Sequence, residues 1–273
     1  MSMNNFVKRS LSGAVYIGLV IGTVLAGIKY FIPLFALVTA VCIWEFLNAQ
    51  VKSGSPAKLL GVIGGTLLFI ISAYGLQGES SLLWYLPFLF ALPLLVILLG
   101  LFQPAESNFQ DAAWLFLSFL YIVVPFVLLT SIDLWHISGS GLSPLLGIFI
   151  LFWTNDTGAY LSGRKLGRHA LFPAVSPKKT WEGLIGGALL CLGAAYVLSL
   201  YSLSFSLRHW MIIGGLIAVF GTLGDLVESM WKRQLGIKDS GTIMPGHGGL
   251  LDRFDGFFIA LPAIHIYLFL LRF

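Results

Sequence analysis

Of the chain's 273 residues, 58% are hydrophobic and only 10% are charged, and the mean hydropathy is +0.91. Soluble globular domains carry about 25% charge, so this composition excludes one and points to a polytopic membrane protein. The formal net charge is +4, and no nucleic-acid partner is expected. The two cysteines, Cys42 and Cys191, lie in apolar runs without a CxxC partner; they read as packing residues, which excludes a disulfide scaffold or a zinc site.

The first apolar run follows Lys8 and Arg9 and lasts to Ile28. A signal peptide would have a shorter apolar core and a cleavage site ahead of a soluble domain. More membrane follows at once, so this is a retained first helix. Further runs recur near 31–48, 58–75, 83–102, 112–130, 143–163, 183–203, 209–231 and 251–271. Each is close to the ~20 residues a spanning helix requires, which predicts an all-α integral membrane protein with about nine transmembrane helices.

With a cytoplasmic N-terminus, only Lys29, Arg208 and Arg272 of the 16 Lys+Arg fall outside. That bias follows the positive-inside rule. It puts both long polar loops, 164–182 and 232–250, on the cytoplasmic face, where nucleotides are available. Residues 1–140 read as N-terminal scaffold helices that include candidate dimer contacts, and 141–273 as the catalytic helices. Glu45, within the second run, is the first region's one conspicuous intramembrane charge. It either reaches the interface as a helix-end glutamate or faces the bundle interior.

The stretch 154–183 carries Asp156, then Arg164, Lys165 and Arg168, then Ser176-Pro177-Lys178-Lys179-Thr180 ahead of a new helix. Either Ser176 or Thr180 suits the N-cap, and the helix start would face whatever anion the lysines attract. Lys178 and Lys179 are read as phosphate-binding. Arg164, Lys165 and Arg168 fit equally an orientation signal with affinity for anionic headgroups.

Five of the 12 acidic residues gather between Asp225 and Asp255, interleaved with Lys232, Arg233, Lys238 and Arg253. On a helix Asp225, Glu228, Ser229 and Lys232 form one polar stripe. Asp252 and Asp255, at i and i+3, would project from one side of the next helix. Gly241, Gly246, Gly248 and Gly249 lie between them and would expose N–H groups to a phosphate.

Three aspartates near one end of two adjacent spans exceed what structural ion pairs need, so Asp225, Asp252 and Asp255 are expected to bind a metal. The alternative is an interior network with Lys232, Arg233 or Arg253. Glu228 and Asp239 fit a metal or a lysine. Oxygen ligands with few histidines favour Mg²⁺ over zinc. Of the five histidines, His247 lies in the glycine-rich polar loop, and His136, His169, His209 and His265 read as incidental.

At these residues the sequence resembles the phosphatidate cytidylyltransferases, or CDP-diacylglycerol synthases. The family's C-terminal signature stands here as Ser229, Lys232-Arg233, Lys238-Asp239, Pro245-Gly246-His247-Gly248-Gly249 and Asp252-Arg253-Phe254-Asp255. Its upstream pattern stands as Asp156, Ala159-Tyr160, Gly163-Arg164, Ser176 to Thr180 and Glu182-Gly183. The detailed likeness covers residues 150–256.

The resemblance implies condensation of CTP with phosphatidic acid to CDP-diacylglycerol and pyrophosphate, at the cytoplasmic face of a bacterial-type inner membrane. It further implies Mg²⁺ as cofactor, room for a monovalent cation such as K⁺ beside it, and a homodimer. The site would comprise Asp225, Asp252 and Asp255 at the metal, with Lys238 and His247 as further catalytic groups. Asp156, Ser176, Lys178, Lys179, Thr180, Lys232, Arg233, Lys238, Gly248, Gly249 and Arg253 would bind substrate.

Two other classes compete. A polyprenol kinase-like enzyme would transfer the γ-phosphoryl group of CTP and leave CDP. An ion-coupled transporter would place charges near the bilayer midplane and show related halves, whereas these charges sit at one face and no internal repeat is visible. The Asp-Gly-x-x-Ala-Arg run of CDP-alcohol phosphotransferases is absent.

Overall fold

The computed structural model describes residues 3–51, 55–78, 86–99, 108–136, 141–202, 204–244, 246 and 248–271. It divides into two compact units, Met1–Ser131 with Asp239–Arg253, and Ile132–Lys238 with Phe254–Phe273.

The first unit contains α1 (Met3–Ala26), α2 (Ile28–Gln50), α3 (Pro56–Gln77), α4 (Leu86–Leu99), α5 (Asn108–Ser118) and α6 (Val124–Ser131). Gly27, at φ 106°, adopts a conformation that side chains disfavour and so separates α1 from α2. Ser55 caps α3 by accepting from the Ala57 N–H at 3.3 Å, and Pro56 occupies the first turn, where its missing donor costs nothing. A π-helical turn, Phe119–Val123, joins α5 to α6 ahead of Pro125. The proline ring would clash with the carbonyl four residues back, at Tyr121, and the wider turn removes that clash. The core is aromatic: Phe31 stacks on Phe35 at 4.1 Å, and Phe126 meets Phe35 edge-on at 5.4 Å.

The second unit contains α7 (Pro144–Leu166), strands β1 (Ala170–Phe172) and β2 (Ser176–Thr180), α8 (Trp181–Tyr201), α9 (Leu207–Leu216), α10 (Thr222–Gln234) and α11 (Asp255–Leu270). A second π turn, Ile217–Gly221, runs α9 into α10. Helices α7 and α8 meet through glycines. A Cβ on Gly158 would lie 2.9 Å from the Gly186 carbonyl, and one on Gly187 2.9 Å from that of Asn155. Such small-residue contacts let membrane helices approach backbone to backbone. Phe152 and Phe257 stack at 3.6 Å and fix α11 against α7.

Among the described residues a helix overlaps each expected apolar run, but the helices differ as candidate spans. Among the described residues, five stretches are long and apolar enough to cross a membrane: Ile28–Gln50, Pro56–Gln77, Phe109–Trp135, Trp181–Tyr201 and Leu207–Gln234. Within the described residues the apolar stretches Leu11–Ala26, Phe90–Leu99 and Asp255–Leu270 are shorter. α7 is long and continuous, but its apolar sequence is interrupted by Thr154-Asn155-Asp156-Thr157. The chain is thus a helical membrane protein.

Two local expectations change. The segment 164–182, read as a loop, contains the antiparallel β1–β2 hairpin, with Ala170 paired to Thr180 and Phe172 to Ser176. Ser176 therefore opens a strand, and Thr180 alone caps α8, accepting from the Gly183 N–H at 3.1 Å. Asp252 and Asp255 do not share a helix face. Asp252 lies in a 3₁₀ turn, Leu251–Arg253, and α11 begins only at Asp255.

Because Thr180 joins hairpin to helix, Thr180→Ala is expected to destabilise the protein by about 1 kcal/mol, the usual cost of a lost N-cap. A lowered thermal-unfolding midpoint of the purified variant checks this.

Candidate active site

In the second unit, the polar stripe of α10 faces the start of α11. Asp225 is paired with Lys179 at the end of β2. One turn on, Lys232 donates to Glu228 at 3.2 Å, with the Glu228 side chain fully buried and that of Lys232 13% exposed. Asp255 occupies the first position of α11, where its Oδ1 accepts from the Gly256 N–H at 2.7 Å. Asp225, Glu228, Asp156 and Lys179 all lie within electrostatic reach of Asp255. Asp255 opens α11 while Asp156 lies midway along α7, so these carboxylates stand on membrane helices, where negative charge is costly without a cation.

The hairpin brings the lysines here. Glu182, in the first turn of α8, accepts from the backbone N–H groups of Arg168 at 3.1 Å and His169 at 3.2 Å, and its other oxygen meets His169 Nδ1 at 2.6 Å. The Trp181 N–H donates to the His169 carbonyl at 3.0 Å. These bonds strap the hairpin base to α8, leaving Lys178 exposed and turning Lys179 towards Asp225. His169, which looked incidental in the sequence, is part of that strap. Arg233 and Lys238 are exposed near the end of α10.

In the first unit, the glycine-rich loop is folded onto α2. Asp252 accepts from the Gly249 N–H at 2.8 Å, and its Oδ2 from the Ser240 N–H at 3.0 Å. Glu45, 4% exposed, accepts from the N–H groups of Leu250 at 3.1 Å and Leu251 at 2.8 Å and from the Ser240 hydroxyl at 3.4 Å. The Gly249 N–H, expected to face a phosphate, is thus donated to Asp252. Gly246 and Gly248 hold positive φ values of 77° and 87°, where glycine is the natural occupant. Arg253 is exposed. His247 lies outside the described residues.

The second unit therefore brings together Asp156, Lys179, Asp225, Lys232 and Asp255 of the expected site, and the first unit holds Gly248, Gly249, Asp252 and Arg253. Among the described residues, no three His, Cys, Asp or Glu side chains form a ready-made metal cage. The donor chemistry still suits Mg²⁺, because every donor is a carboxylate oxygen. This ion binds through one or two carboxylates plus substrate phosphates and keeps waters on its other positions.

Comparison with known proteins agrees with this chemistry. Residues 7–271 match the model of the cytidylyltransferase family. A phosphatidate cytidylyltransferase of Staphylococcus aureus (strain COL) is 37% identical over 231 residues, covering 84% of this chain and 85% of that protein. One of Staphylococcus haemolyticus is 36% identical over 252 residues, 90% of each chain. One of Staphylococcus saprophyticus is 43% identical over 163 residues, 59% of this chain and 60% of that protein.

Proposed function

The chain belongs to the cytidylyltransferase family and is an enzyme, and from that premise we propose that it condenses CTP with phosphatidic acid to give CDP-diacylglycerol and pyrophosphate. The observation that carries the reading is that Asp225, Glu228 and Asp156 lie within electrostatic reach of Asp255 on membrane helices, with Lys179 paired to Asp225 and Lys232 to Glu228.

A phosphate oxygen of the lipid attacks the α-phosphorus of CTP, and the bond to the pyrophosphate oxygen breaks in line. A phosphomonoester with a second pKa near about 6 is largely a dianion at neutral pH, so no protein base is needed. The obstacle is the meeting of two polyanions.

Asp225 and Asp255 would hold Mg²⁺, and Asp252 would be the third expected ligand. When bound, this ion neutralises phosphate charge and orients the reacting groups. Lys178, Lys179, Lys232, Arg233 and Lys238 clamp phosphates and offset the charge developing on the leaving group. Gly248, Arg253 and His247 lie along the same signature. His247 either donates to a phosphate oxygen or protonates pyrophosphate.

Nine spans with the N-terminus inside, an active site facing the cytoplasm of a bacterial inner membrane, a homodimer and a monovalent cation beside Mg²⁺ complete the proposal. The positive-inside bias supports the orientation.

The deciding experiment incubates purified protein with phosphatidic acid, CTP and Mg²⁺. Pyrophosphate and a cytidine-bearing lipid are expected. CDP without pyrophosphate would mean γ-phosphoryl transfer and overturn the reading. Lys178 is exposed beside the start of α8, so Lys178→Ala is expected to raise the KM of at least one substrate about tenfold with a smaller change in kcat, as for a group that binds ground and transition states alike. An unchanged KM for both substrates would remove it from the clamp.

A further inference from the structure

Within the first unit the buried acids Glu45 and Asp111 have no part in the reaction just described. We infer that Glu45 is a positioning residue that docks the glycine-rich loop onto α2 and thereby sets the orientation of Asp252. The inference rests on the proposed function only in taking that loop as part of the active site.

Glu45 lies near the C-terminal end of α2, 4% exposed. Its two oxygens take three donors from one loop: the N–H groups of the consecutive residues Leu250 and Leu251, and the Ser240 hydroxyl. A carboxylate suits this better than an amide, since both oxygens accept and bonds to an ionised group are roughly twice as strong as neutral ones. Removing it would orphan two backbone donors in a site where Leu251 is fully buried.

The neighbouring glycines point the same way. A Cβ on Gly241 would collide with the Glu45 carboxylate, and one on Gly249 would lie 2.7 Å from Glu45 Oε2. Two of the four loop glycines thus make room for Glu45.

Asp252 is tied to the same frame. Its oxygens are held by the N–H groups of Ser240 and Gly249, and it directly follows Leu251. Ser240 bonds both acids, through its N–H to Asp252 and through its hydroxyl to Glu45. Once Glu45 releases the loop, Asp252 keeps its bonds to Ser240 and Gly249, but the loop that carries those donors is no longer fixed to α2.

The test compares wild type with Glu45→Ala, Glu45→Gln and Ser240→Ala as full-length purified proteins. The first readout is hydrogen–deuterium exchange of the peptide 240–252, which needs no activity. The second is the KM for CTP against kcat. Glu45→Ala is expected to raise exchange in this peptide selectively and to raise the KM about tenfold or more, because only the docked fraction of the loop binds well. Glu45→Gln is expected to recover part of both effects, since it keeps one acceptor and the shape.

Should Glu45→Ala fail to fold, Glu45→Gln and Ser240→Ala carry the same readouts with smaller shifts. Unchanged exchange and KM in Glu45→Gln and Ser240→Ala would overturn the inference. So would a loss of active protein with unaltered KM, which marks a merely structural role. If wild type releases no pyrophosphate from CTP, the proposed function fails, and the exchange readout still decides whether Glu45 docks the loop.

Discussion

The substitution Asp255→Asn is expected to lower kcat about a thousandfold or more, the scale on which loss of one charge-stabilising group acts at phosphoryl centres. Asn keeps the size of Asp and an oxygen that can still accept from the Gly256 N–H, now seen at 2.7 Å. What it removes is one charge from a group of carboxylates comprising Asp225, Glu228 and Asp156 besides Asp255 itself.

Two roles for Asp255 then give opposite signs in stability. If Asp255 served as half of a buried structural ion pair, neutralising it would strand its partner and cost about 3–5 kcal/mol. If it helps hold a cation, neutralising it relieves repulsion among like charges, and the variant should unfold in chelator at the wild-type temperature or above it. Mg²⁺ should raise the unfolding midpoint of wild type, as any ligand selective for the folded state does, and raise that of Asp255→Asn much less. Pyrophosphate release and unfolding midpoints, each with Mg²⁺ and with chelator, check both halves. Turnover near wild type would remove Asp255 from the metal site.

The helices were legible because a bilayer imposes one requirement, an apolar run of about 20 residues, that survives in the sequence without knowledge of partners. The basic and acidic signature was legible for a similar reason, as charge stands out in a chain with so little of it. Long-range pairing was not. The sequence assigns Lys179 and Asp225 separate roles, phosphate clamp and metal ligand, yet they form an ion pair between β2 and α10.

The spacing of Asp252 and Asp255 misled because the i, i+3 rule presumes a helix already running. Asp252 instead bonds back to Ser240 and Gly249, and Phe254, at φ −120° and ψ 7°, precedes the first helical residue. The hairpin escaped notice because β1 has only three residues, too few for an alternating pattern. Glu45 bonds to partners 195 to 206 residues away, and no local pattern encodes that. Its one visible signal was an acid alone in an apolar helix.

Gly224→Ala is expected to separate α10 from α11 and to disable the site without touching any of its charges. An alanine Cβ at this position would lie 2.5 Å from the Asp255 carbonyl oxygen and 3.0 Å from the Gly256 Cα. Both are backbone atoms and cannot rotate away, so one helix must move. Overpacking of this kind costs about 1–3 kcal/mol. The moving parts are the ones that matter: Gly224 adjoins Asp225, and the obstructing carbonyl belongs to Asp255. A displacement of about 1 Å between reacting groups can cost a hundredfold in rate, so kcat is expected to fall about that far.

Gly215→Ala, in the α9 part of the same rod, is the control, since its Cβ would meet nothing within 4 Å. There the change should leave turnover intact and, by favouring helix, raise stability by up to about 1 kcal/mol. Gly224→Ala should therefore lower both unfolding midpoint and kcat, whereas Asp255→Asn lowers kcat alone. Wild-type values of both in Gly224→Ala would show that the contact between the two helices does not hold the carboxylates in register.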